Sequence, residues 1–553
     1  MPQLQTSSKL PTSHWFIVFL VGLSLLLLGQ VSSAQVHIKL RFDSPQKLSV
    51  EYQIPPNCPR LRFEKDGADA QRIRAPWKSQ NACFAIDGDY LVAQNPSCQV
   101  ASFQVDATSN KVRGYPAAFP MGQALYAHTS NYQVDTNCGE LSYEFIGPNV
   151  ALEGKQYSGR ADLKPKADYT FPVLFSPRSL NDDQGVLSYI DPSVSSAYTS
   201  RIQEHAVKTI QYLKSEMPKA QFMMPIIAAA NIQHPGDLGF DGDAGNVLRL
   251  SLFNWPEQLT AEANIGIRNF VTHEFSHRFQ KRDEVDVYPI SRVIHEGGGE
   301  YLRWVTSLAM GWMSQAEAAK DLDDALNRCL LGTDNRAWQT LSAQTIGMRQ
   351  LEYRCGLPAY VYGLAARQNK AAAIRNVATF YERIQSGERP DFFDAIECGD
   401  KLACHPVWLP RLFSGTKSVA DTWAAFFDAT GLANRVSPNQ VQLDLMTKKA
   451  FSLLMKDDCG ESSVFEASDG LIVDDLKMCK RLKRDMKIIG VEGLPIFGHA
   501  KTLSALLAAC KKRGVVTLQI AKQTDIELPC VSPYVPTSTF YAVDMQKLLK
   551  RLQ

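Results

Sequence analysis

The sequence has little net charge and few long apolar runs, and both shortages exclude classes of protein. Its 59 Lys and Arg residues against 57 Asp and Glu residues give a formal charge of +2, so no overall field draws the chain to nucleic acid or to an anionic membrane. Beyond residue 28 no stretch is long and apolar enough to span a bilayer. The 553 residues suffice for roughly three domains. We therefore expect the function to depend on a specific site.

The N-terminus has the pattern of a secretory signal peptide at residues 1–34. A polar leader with Lys9 precedes an apolar run from Trp15 to Leu28, and the small residues Ser32 and Ala34 suit cleavage before Gln35. The run is too short to span a bilayer comfortably. An uncleaved membrane anchor is the alternative. The pattern predicts a secreted or periplasmic protein with no membrane association after cleavage.

The sequence contains no CxxC pair, which argues against a zinc site made of cysteines. Its twelve cysteines all follow the signal peptide, and an even number is typical of disulfide-bonded proteins from oxidising compartments. Pairing of neighbours predicts a local bridge network. The expected pairs are Cys329–Cys355, Cys398–Cys404, Cys459–Cys479 and Cys510–Cys530, with Cys58, Cys83, Cys98 and Cys138 pairing among themselves in an order that the sequence leaves open.

Changes in periodicity along the chain predict a multidomain α+β protein. Residues 35–163 show short alternating runs broken by Pro, Gly and Asn, which predict a β-sandwich-like domain. Residues 164–444 turn to helical periodicity and predict a mainly α-helical domain. Residues 445–553 mix both patterns and predict a small third domain of α+β type.

The stretch VTHEFSHRFQ, residues 271–280, contains a pattern that indicates a metal-binding site. His273 and His277 are four residues apart, so a helix would point both imidazoles at one ion. Two neutral imidazoles bind Zn²⁺, and the adjacent Glu274 can act as a base toward a zinc-activated water. The alternative is that the two histidines lie on the surface and bind no metal. The pattern predicts one zinc ion per chain, with His273 and His277 as ligands.

A third zinc ligand is expected in the stretch IHEGGGEYLRW, which follows the histidine pair closely. Glu296 comes after eighteen intervening residues, and a hydrolytic zinc site needs three protein ligands with one position left open. Glu300 shares its helix face and could accept the spare N–H of a ligating imidazole. Three successive glycines, 297 to 299, are costly inside a helix and predict a close approach, either by the zinc helix or by a substrate backbone.

The combination of His-Glu-x-x-His, eighteen residues and Glu resembles the gluzincin metallopeptidases, and the EG…EYL context is similar to families M1 and M61. The resemblance implies a thermolysin-like catalytic domain. In EYRCGLPAYVYGL it implies that Tyr353 stabilises the oxyanion, with Cys355 at a position where the family usually has Lys. Upstream, Gly239 and Asp241 are similar to a Gly-x-Glu substrate-binding signature; the shorter Asp leaves strict aminopeptidase action open, and a plain turn is the alternative.

Residues 481–522 resemble the second half of a PDZ domain, and this order of domains favours M61 over M1. Arg484 stands at the position of the family's Gly before Asp485, and Val491 to Gly493 match its turn. A PDZ groove binds peptides by strand addition. The stretch at 459–465 lacks the glycine-rich apolar sequence such a groove uses, so a peptide ligand and a packing role both stay open.

The residues and the resemblance together predict a zinc metallopeptidase, possibly an aminopeptidase, with a peptide as substrate. Glu274 would be the general base and Glu300 a partner of a ligand histidine. Two alternatives remain. One is a peptide-binding or scaffolding protein on a peptidase fold, which would not need Glu274; the other is a zinc hydrolase that acts on a non-peptide substrate.

Overall fold

The computed structural model describes residues 35–109, 115–165, 169–220, 224–233, 239–244, 246–280, 292–367, 373–388, 411–460, 462, 464–467, 469–473, 478–532, 534–535, 537 and 539–553. The expected signal peptide and the expected Cys398–Cys404 bridge lie outside these residues. The chain divides into two compact units, Met1–Leu180 and Asn181–Gln553.

The described residues of the first unit form mainly β-strands, together with the α-helix α1 (Gly67–Arg74). The strands are β1 (Gln35–Ser44), β2 (Lys47–Gln53), β3 (Arg60–Arg62), β4 (Lys78–Ser79), β5 (Phe84–Asp87), β6 (Tyr90–Ala93), β7 (Val100–Asp106), β8 (Ala118–Met121), β9 (Ala124–His128), β10 (Glu140–Leu152), β11 (Lys155–Leu163) and β12 (Pro172–Ser176). Nine of them form one sheet in the order β4-β7-β2-β1-β10-β12-β9-β8, with β11 beside β10, and β3-β6-β5 form a second sheet. In β1 the side chains of Val36, Ile38 and Leu40 are buried at every second position, as the alternating sequence predicts.

The first unit extends beyond residue 163, where the change in sequence pattern suggested a boundary. Strand β12 pairs with both β9 and β10, and all five of its residues are buried. A short strand that is buried on both faces has no alternation to reveal it, and a polar stretch separates it from β11. Only its pairing shows that it belongs to this sheet.

The second unit begins with a mixed five-stranded sheet. Its strands are β13 (Asn181–Asp183), β14 (Val186–Ile190), β15 (Ile226–Ile232), β16 (Gly239–Ala244) and β17 (Val247–Phe253), in the order β13-β14-β15-β17-β16. The central strands β14, β15 and β17 run parallel, and β16 pairs antiparallel with β17 at the end of the sheet. Parallel strands covered on both faces are continuous apolar runs without alternation. This explains why the sequence pattern here indicated mainly helix.

The other described elements of the second unit before residue 433 are mainly helices, of which the first lies between β14 and β15. They are α2 (Ser196–Glu216), α3 (Ala261–Ser276), α4 (Gly298–Ala309), α5 (Gln315–Gly332), α6 (Ala343–Met348), α7 (Leu351–Arg354), α8 (Gly356–Ala366), α9 (Ala373–Gln385), α10 (Arg411–Ser414) and α11 (Val419–Thr430). Helices α2 and α3 pack on the five-stranded sheet through a shared apolar core that includes Ile202, Ile227 and Val271. Trp304, Trp338 and Trp423 lie in a second core among the later helices.

The C-terminal part is a small α+β module followed by a returning tail. After β18 (Ala433–Val436) the module contains α12 (Gln440–Cys459), β19 (Val464–Ala467), β20 (Gly470–Val473), β21 (Lys487–Val491), β22 (Leu494–Pro495), α13 (Thr502–Arg513), β23 (Val515–Ile520) and β24 (Ile526–Pro529), and the tail contains β25 (Phe540–Val543) and α14 (Met545–Leu552). Strand β25 pairs with β18, and Tyr541 and Leu548 join the core of the helical region. The expected domain start at residue 445 falls inside α12.

The described cysteines are all paired, in the bridges Cys58–Cys138, Cys83–Cys98, Cys329–Cys355, Cys459–Cys479 and Cys510–Cys530. This confirms three of the predicted neighbour pairs and the pairing of the four N-terminal cysteines among themselves. Bridges of this number are typical of proteins from oxidising compartments. Within the described ranges, no helix combines the length and apolarity needed to cross a membrane.

Candidate metal centre

The two histidines lie at the C-terminal end of α3, a helix buried on more than one face. Thr260 caps the N-terminus by accepting a hydrogen bond from the Ala263 amide. The stripe Ile267, Val271, Phe275 and Phe279 is buried, as its four-residue spacing predicts. His273 lies in the last turn, whereas His277 begins a 3₁₀ turn, His277–Phe279, that ends the helix. The side chains still point to one place, because the helical spacing persists through the turn.

Three ligand atoms converge at this point. The Nε2 atoms of His273 and His277 are 3.0 Å apart, and Oε2 of Glu296 lies 3.5 Å and 3.3 Å from them. Ligand atoms arranged tetrahedrally about 2.0–2.2 Å from a zinc ion are roughly 3.3–3.6 Å from one another. The observed spacing therefore fits a single small cation held by two imidazoles and one carboxylate.

Each imidazole has a partner for its other nitrogen. Nδ1 of His273 lies 2.8 Å from Oε1 of Glu300, and Nδ1 of His277 lies 2.7 Å from Oε1 of Gln280. The Gln280 oxygen accepts the Nδ1 proton of His277, and the Glu300 carboxylate lies within ion-pair distance of Nδ1 of His273, so with a cation bound both Nε2 lone pairs would face the convergence point. Lone pairs and a carboxylate oxygen this close together repel unless a cation lies between them. The donor set thus fits zinc in its chemistry as well as its spacing.

Charges around His273 favour a cation in this place. Burial lowers the pKa of the His273 imidazole, but the Glu296, Glu300 and Glu274 carboxylates outweigh burial and raise that pKa to about 10. Burial raises the pKa of the Glu296 carboxyl, but the two ligand histidines hold it well below its usual range. The metal-free site consequently keeps a proton on His273, which a metal would displace.

Glu300 is itself held by a buried arginine. Nη2 of Arg303 lies 2.7 Å from Oε2 of Glu300 and 2.8 Å from Oδ2 of Asp321, and Nη1 donates to Oδ1 of Asn269. Burial raises the pKa of the Glu300 carboxyl, but Arg303 and His273 together hold it well below its usual range. Glu300 is therefore ionised and fixed where it contacts His273.

Glu296 lies on a π-helical turn, Val293–Gly297, directly before α4. The hydroxyls of Tyr360 and Tyr381 both donate to the Ile294 carbonyl within this turn, at 3.0 and 2.8 Å. Such side-chain donors stabilise a wide turn, whose carbonyls are less regularly paired than those of an α-helix. The sequence predicted a helix here but not its π-helical form.

The triple glycine permits two close approaches. A Cβ on Gly299 would lie 2.9 Å from Cε1 of His277 and 3.1 Å from Cε1 of His273. The end of α3 that carries the histidines therefore packs closely on α4, which is one of the two close approaches that the glycines predicted. A Cβ on Gly297 would lie 2.6 Å from Cα of Gly356 at the start of α8. The first contact brings the imidazoles over α4, and the second brings the Tyr353 segment against the Glu296 turn.

Tyr353 lies on α7, next to the three converging ligands. Its ring centroid is 5.6 Å from that of His273, and its phenol lies near the Glu296 carboxylate. Burial, together with the negative charges of Glu296 and Glu274, raises the pKa of Tyr353 above its usual value. The phenol stays protonated and is a donor. The Cys329–Cys355 bridge tethers this segment to α5, two residues from Tyr353.

Glu274 is half-buried and lies close enough to raise the pKa values of both His273 and Tyr353 through its charge. A base and a hydrogen-bond donor therefore both lie near the convergence point.

Gly239 and Asp241 lie on β16, the end strand of the five-stranded sheet. Gly242 in the same strand packs closely on Phe270 of α3, which places β16 beside the zinc helix. Oδ2 of Asp241 is 3.0 Å from Nη2 of the buried Arg249, and the Gly239 carbonyl accepts a hydrogen bond from the Trp255 indole. The stretch with Gly239 and Asp241 is thus the end strand of the sheet beside α3, and the Asp241 carboxylate is ion-paired with Arg249.

Sequence reasoning predicted Glu300 as a partner of a ligand histidine but missed the other residues that orient the ligands, above all Gln280, Arg303 and Arg292. Gln280 is three residues after His277, so its position could have been noticed. Arg303 follows Glu300 by three residues on α4, a spacing that favours an ion pair. Arg292 precedes Glu296 by four residues, a spacing that could also have been noticed, but its ion pair with the distant Glu352 leaves no local signal.

No family model matches the chain, and no curated protein matches it. Among solved structures, an aminopeptidase N family protein from Idiomarina loihiensis is similar at 14% identity, with a TM-score of 0.59, over 94% of this chain and 100% of that one. An M1 zinc metallopeptidase from Deinococcus radiodurans (12% identity, TM-score 0.38, 70% and 94% covered) and leukotriene A4 hydrolase from Saccharomyces cerevisiae (13%, 0.32, 72% and 65%) are more distant. The chain shares the mixed α+β fold of the first, with a β-rich unit preceding a helical region.

Proposed function

We propose that this chain is a zinc metallopeptidase that hydrolyses peptide bonds. The observation that carries the proposal is the convergence of His273, His277 and Glu296 within 3.5 Å of one another, flanked by a carboxylate and a protonated phenol. The aminopeptidase N family protein from Idiomarina loihiensis supports it, since the same fold is shared over nearly the whole chain.

His273, His277 and Glu296 would hold one zinc ion per chain. When bound, the ion supplies a Lewis acid that polarises the scissile carbonyl and activates water at neutral pH. Glu300 and Gln280 keep the imidazole lone pairs pointed inward, and the burial of the ligands excludes bulk water from the charge that the reaction develops.

Two further side chains would act on the reacting atoms. Glu274 takes a proton from the attacking water as general base and later returns it to the leaving amine. Tyr353 donates its phenolic hydrogen to the oxygen of the tetrahedral intermediate, a role for which its raised pKa suits it because the proton stays on the phenol.

The finer assignment is to a relative of family M61 in a secreted or periplasmic setting. The five described bridges support an oxidising compartment. We assign residues 1–34 to the signal peptide, 35–180 to the β domain, 181–439 to the catalytic domain and 440–553 to a PDZ-like domain with a tail, so that two of the predicted boundaries move to the ends of the observed elements. The six-stranded sheet with α13 supports this last assignment, and its groove is a candidate site for a peptide ligand.

Asp241 is the residue that would recognise the N-terminus of a peptide substrate. An aminopeptidase needs a carboxylate for the α-ammonium group, and Asp241 is the candidate, yet the buried Arg249 lies 3.0 Å from it. A carboxylate already neutralised by arginine attracts an ammonium group weakly. We therefore propose peptides as the substrate class, with free and blocked N-termini to be compared directly.

The test compares the native protein with Glu274→Gln for zinc content and for hydrolysis of fluorogenic peptides with free and blocked N-termini. The variant should keep stoichiometric zinc but lose about 10²–10⁴-fold in kcat, because it keeps the shape of the side chain but removes the base. Glu262→Gln, in the exposed first turn of the same helix, is the matched control and should be fully active.

Absence of zinc from the native protein would contradict the proposal. Zinc without turnover of any peptide would instead favour the peptide-binding or scaffolding role. Equal activity in the native protein and Glu274→Gln would overturn the mechanism.

A further inference from the structure

Arg292 joins two carboxylates that lie far apart in sequence. It immediately precedes the π-helical turn that carries Glu296. Its Nη2 atom lies 3.6 Å from Oε1 of Glu296 and 3.0 Å from Oε1 of Glu352, and its Nε also donates to that Glu352 oxygen at 3.1 Å. Glu352 is only 1% exposed. A carboxylate so deeply buried is costly unless it is paired, so Arg292 is the partner that makes Glu352 tolerable there.

The position of Glu352 gives this ion pair its significance. Glu352 is the residue before Tyr353 on the short helix α7, so Arg292 ties the turn of the third ligand to the helix of the proposed oxyanion donor. The backbones of the same two segments already touch at Gly297 and Gly356. The arginine bridge and the glycine contact together hold the two segments side by side.

Arg292 also distinguishes the two oxygen atoms of Glu296. Oε2 faces the two histidines at 3.3 and 3.5 Å, whereas Oε1 faces the arginine. A carboxylate free to rotate could turn either oxygen, or both, toward a metal. A fixed cation beside Oε1 favours the orientation in which one oxygen alone is presented.

We infer that Arg292 is a positioning residue, which holds Glu296 as a ligand through one oxygen and keeps Tyr353 in register with it by way of Glu352. This inference rests on the proposed zinc peptidase. It adds that Arg292 links zinc affinity to the position of the oxyanion donor. The Arg292 side chain would itself touch neither metal nor substrate.

The experiment uses the full-length zinc-loaded protein and the variants Arg292→Met, Arg292→Lys, Glu352→Gln and the double variant Arg292→Met with Glu352→Gln. The zinc dissociation constant is measured by competition with a chromophoric chelator, and kcat and KM are measured on a hydrolysed peptide. Arg328→Met is the matched control, because Arg328 pairs with Asp324 within α5.

Arg292→Met should raise the zinc dissociation constant about 10–100-fold, the range typical of residues that orient a ligand. It should lower kcat more than it changes KM. Arg292→Lys should restore part of both, since lysine keeps the charge but loses the planar fork. Glu352→Gln should show the same pattern, and the double variant should lose less than the two single losses combined, because both act through one bridge.

Unchanged zinc affinity in Arg292→Met would overturn the inference, even if its melting temperature fell, since that pattern describes a purely structural ion pair. So would full additivity in the double variant. A native protein that binds no zinc would overturn the proposed function itself. Native protein and Arg292→Met that bind zinc equally and cleave peptide equally would overturn only the inference.

Discussion

The two sides of the proposed metal centre are built by different means. On the histidine side, His273 and His277 come from one stretch of helix and its terminal turn, so their spacing is set locally. On the carboxylate side, Glu296 and Tyr353 come from separate segments that meet through a π-helical turn, a glycine contact and an arginine bridge. The difference teaches that the histidine pair can keep its geometry even when the arrangement of Glu296 and Tyr353 is disturbed. Changes on the two sides should therefore have separable effects.

On the carboxylate side the largest effect is expected from Tyr353→Phe. Loss of the phenolic donor should lower kcat by about 10²–10³-fold, as for other single oxyanion donors, while zinc content stays stoichiometric because no ligand is removed. Steady-state kinetics with metal analysis would check this. Tyr362→Phe is the control, since Tyr362 packs on Trp423 in the core. A fully active Tyr353→Phe would show that the carboxylate side supplies a ligand but no donor.

On the histidine side, Glu300→Gln should weaken zinc binding by about 10–100-fold. The pH dependence gives a second measurement. His273 has a pKa of about 10 without metal, so zinc must displace its proton and affinity should rise about tenfold per pH unit from roughly pH 7 to 10. Calorimetry in buffers of different ionisation enthalpy would count the released proton.

Glu300→Gln removes one of the charges that raise the pKa of His273, so this proton release at pH 8 should diminish in the variant. Glu204→Gln on α2, a half-buried partner of Lys208, should leave the proton count unchanged. Zinc affinity independent of pH in the native protein would contradict the charge state assigned to His273.

Gly297→Ala tests the backbone contact on the carboxylate side. The added methyl group would meet Cα of Gly356, which is backbone and cannot move aside cheaply. We expect a loss of about 1–3 kcal/mol in the free energy of unfolding, as for overpacked cores, measured by denaturant titration. Gly347→Ala in α6, where nothing lies within 4 Å, should be neutral or stabilising. Equal stability of the two variants would show that the contact is loose.

The smallest effect is expected from Tyr381→Phe, which touches both sides. The Tyr381 hydroxyl accepts from Gln280 at 2.6 Å and donates to the Ile294 carbonyl at 2.8 Å. Its removal should cost about 1 kcal/mol of stability and weaken zinc binding less than Glu300→Gln does. Thermal unfolding with and without zinc would separate the two effects. A larger loss of zinc affinity than in Glu300→Gln would show that Gln280 is the more important orienting residue.

The sequence predicted what depends on local spacing. The buried stripe of α3 and the bridges between neighbouring cysteines appear in the structure as expected. The pattern also named the three ligand candidates, which the structure brings together. Each of these features depends on residues that are close in sequence, where helix geometry or loop length sets the contact.

The sequence missed features that depend on pairing between distant segments. Strand β12 returns to the first sheet, and the tail at Tyr541 returns to the helical region through its backbone hydrogen bonds with Asn327. The sequence pattern also failed to predict the parallel strands β14, β15 and β17, because burial on both faces removes the alternation that marks a strand. The expected boundaries at residues 163 and 445 were therefore placed where composition changes rather than where the fold does.

The sequence by itself determined the chemistry: two imidazoles, a base beside the first of them, and a carboxylate at a fixed interval. Only the tertiary structure decided how those groups are oriented. Arg292 and Glu352 are 60 residues apart, and Gln280 and Tyr381 are 101 apart, so no local periodicity connects them. Orientation of a ligand depends on whichever side chain packs behind it. That choice is made by the fold, because the low-dielectric interior forces each buried charge and lone pair to find a partner from any segment that comes close.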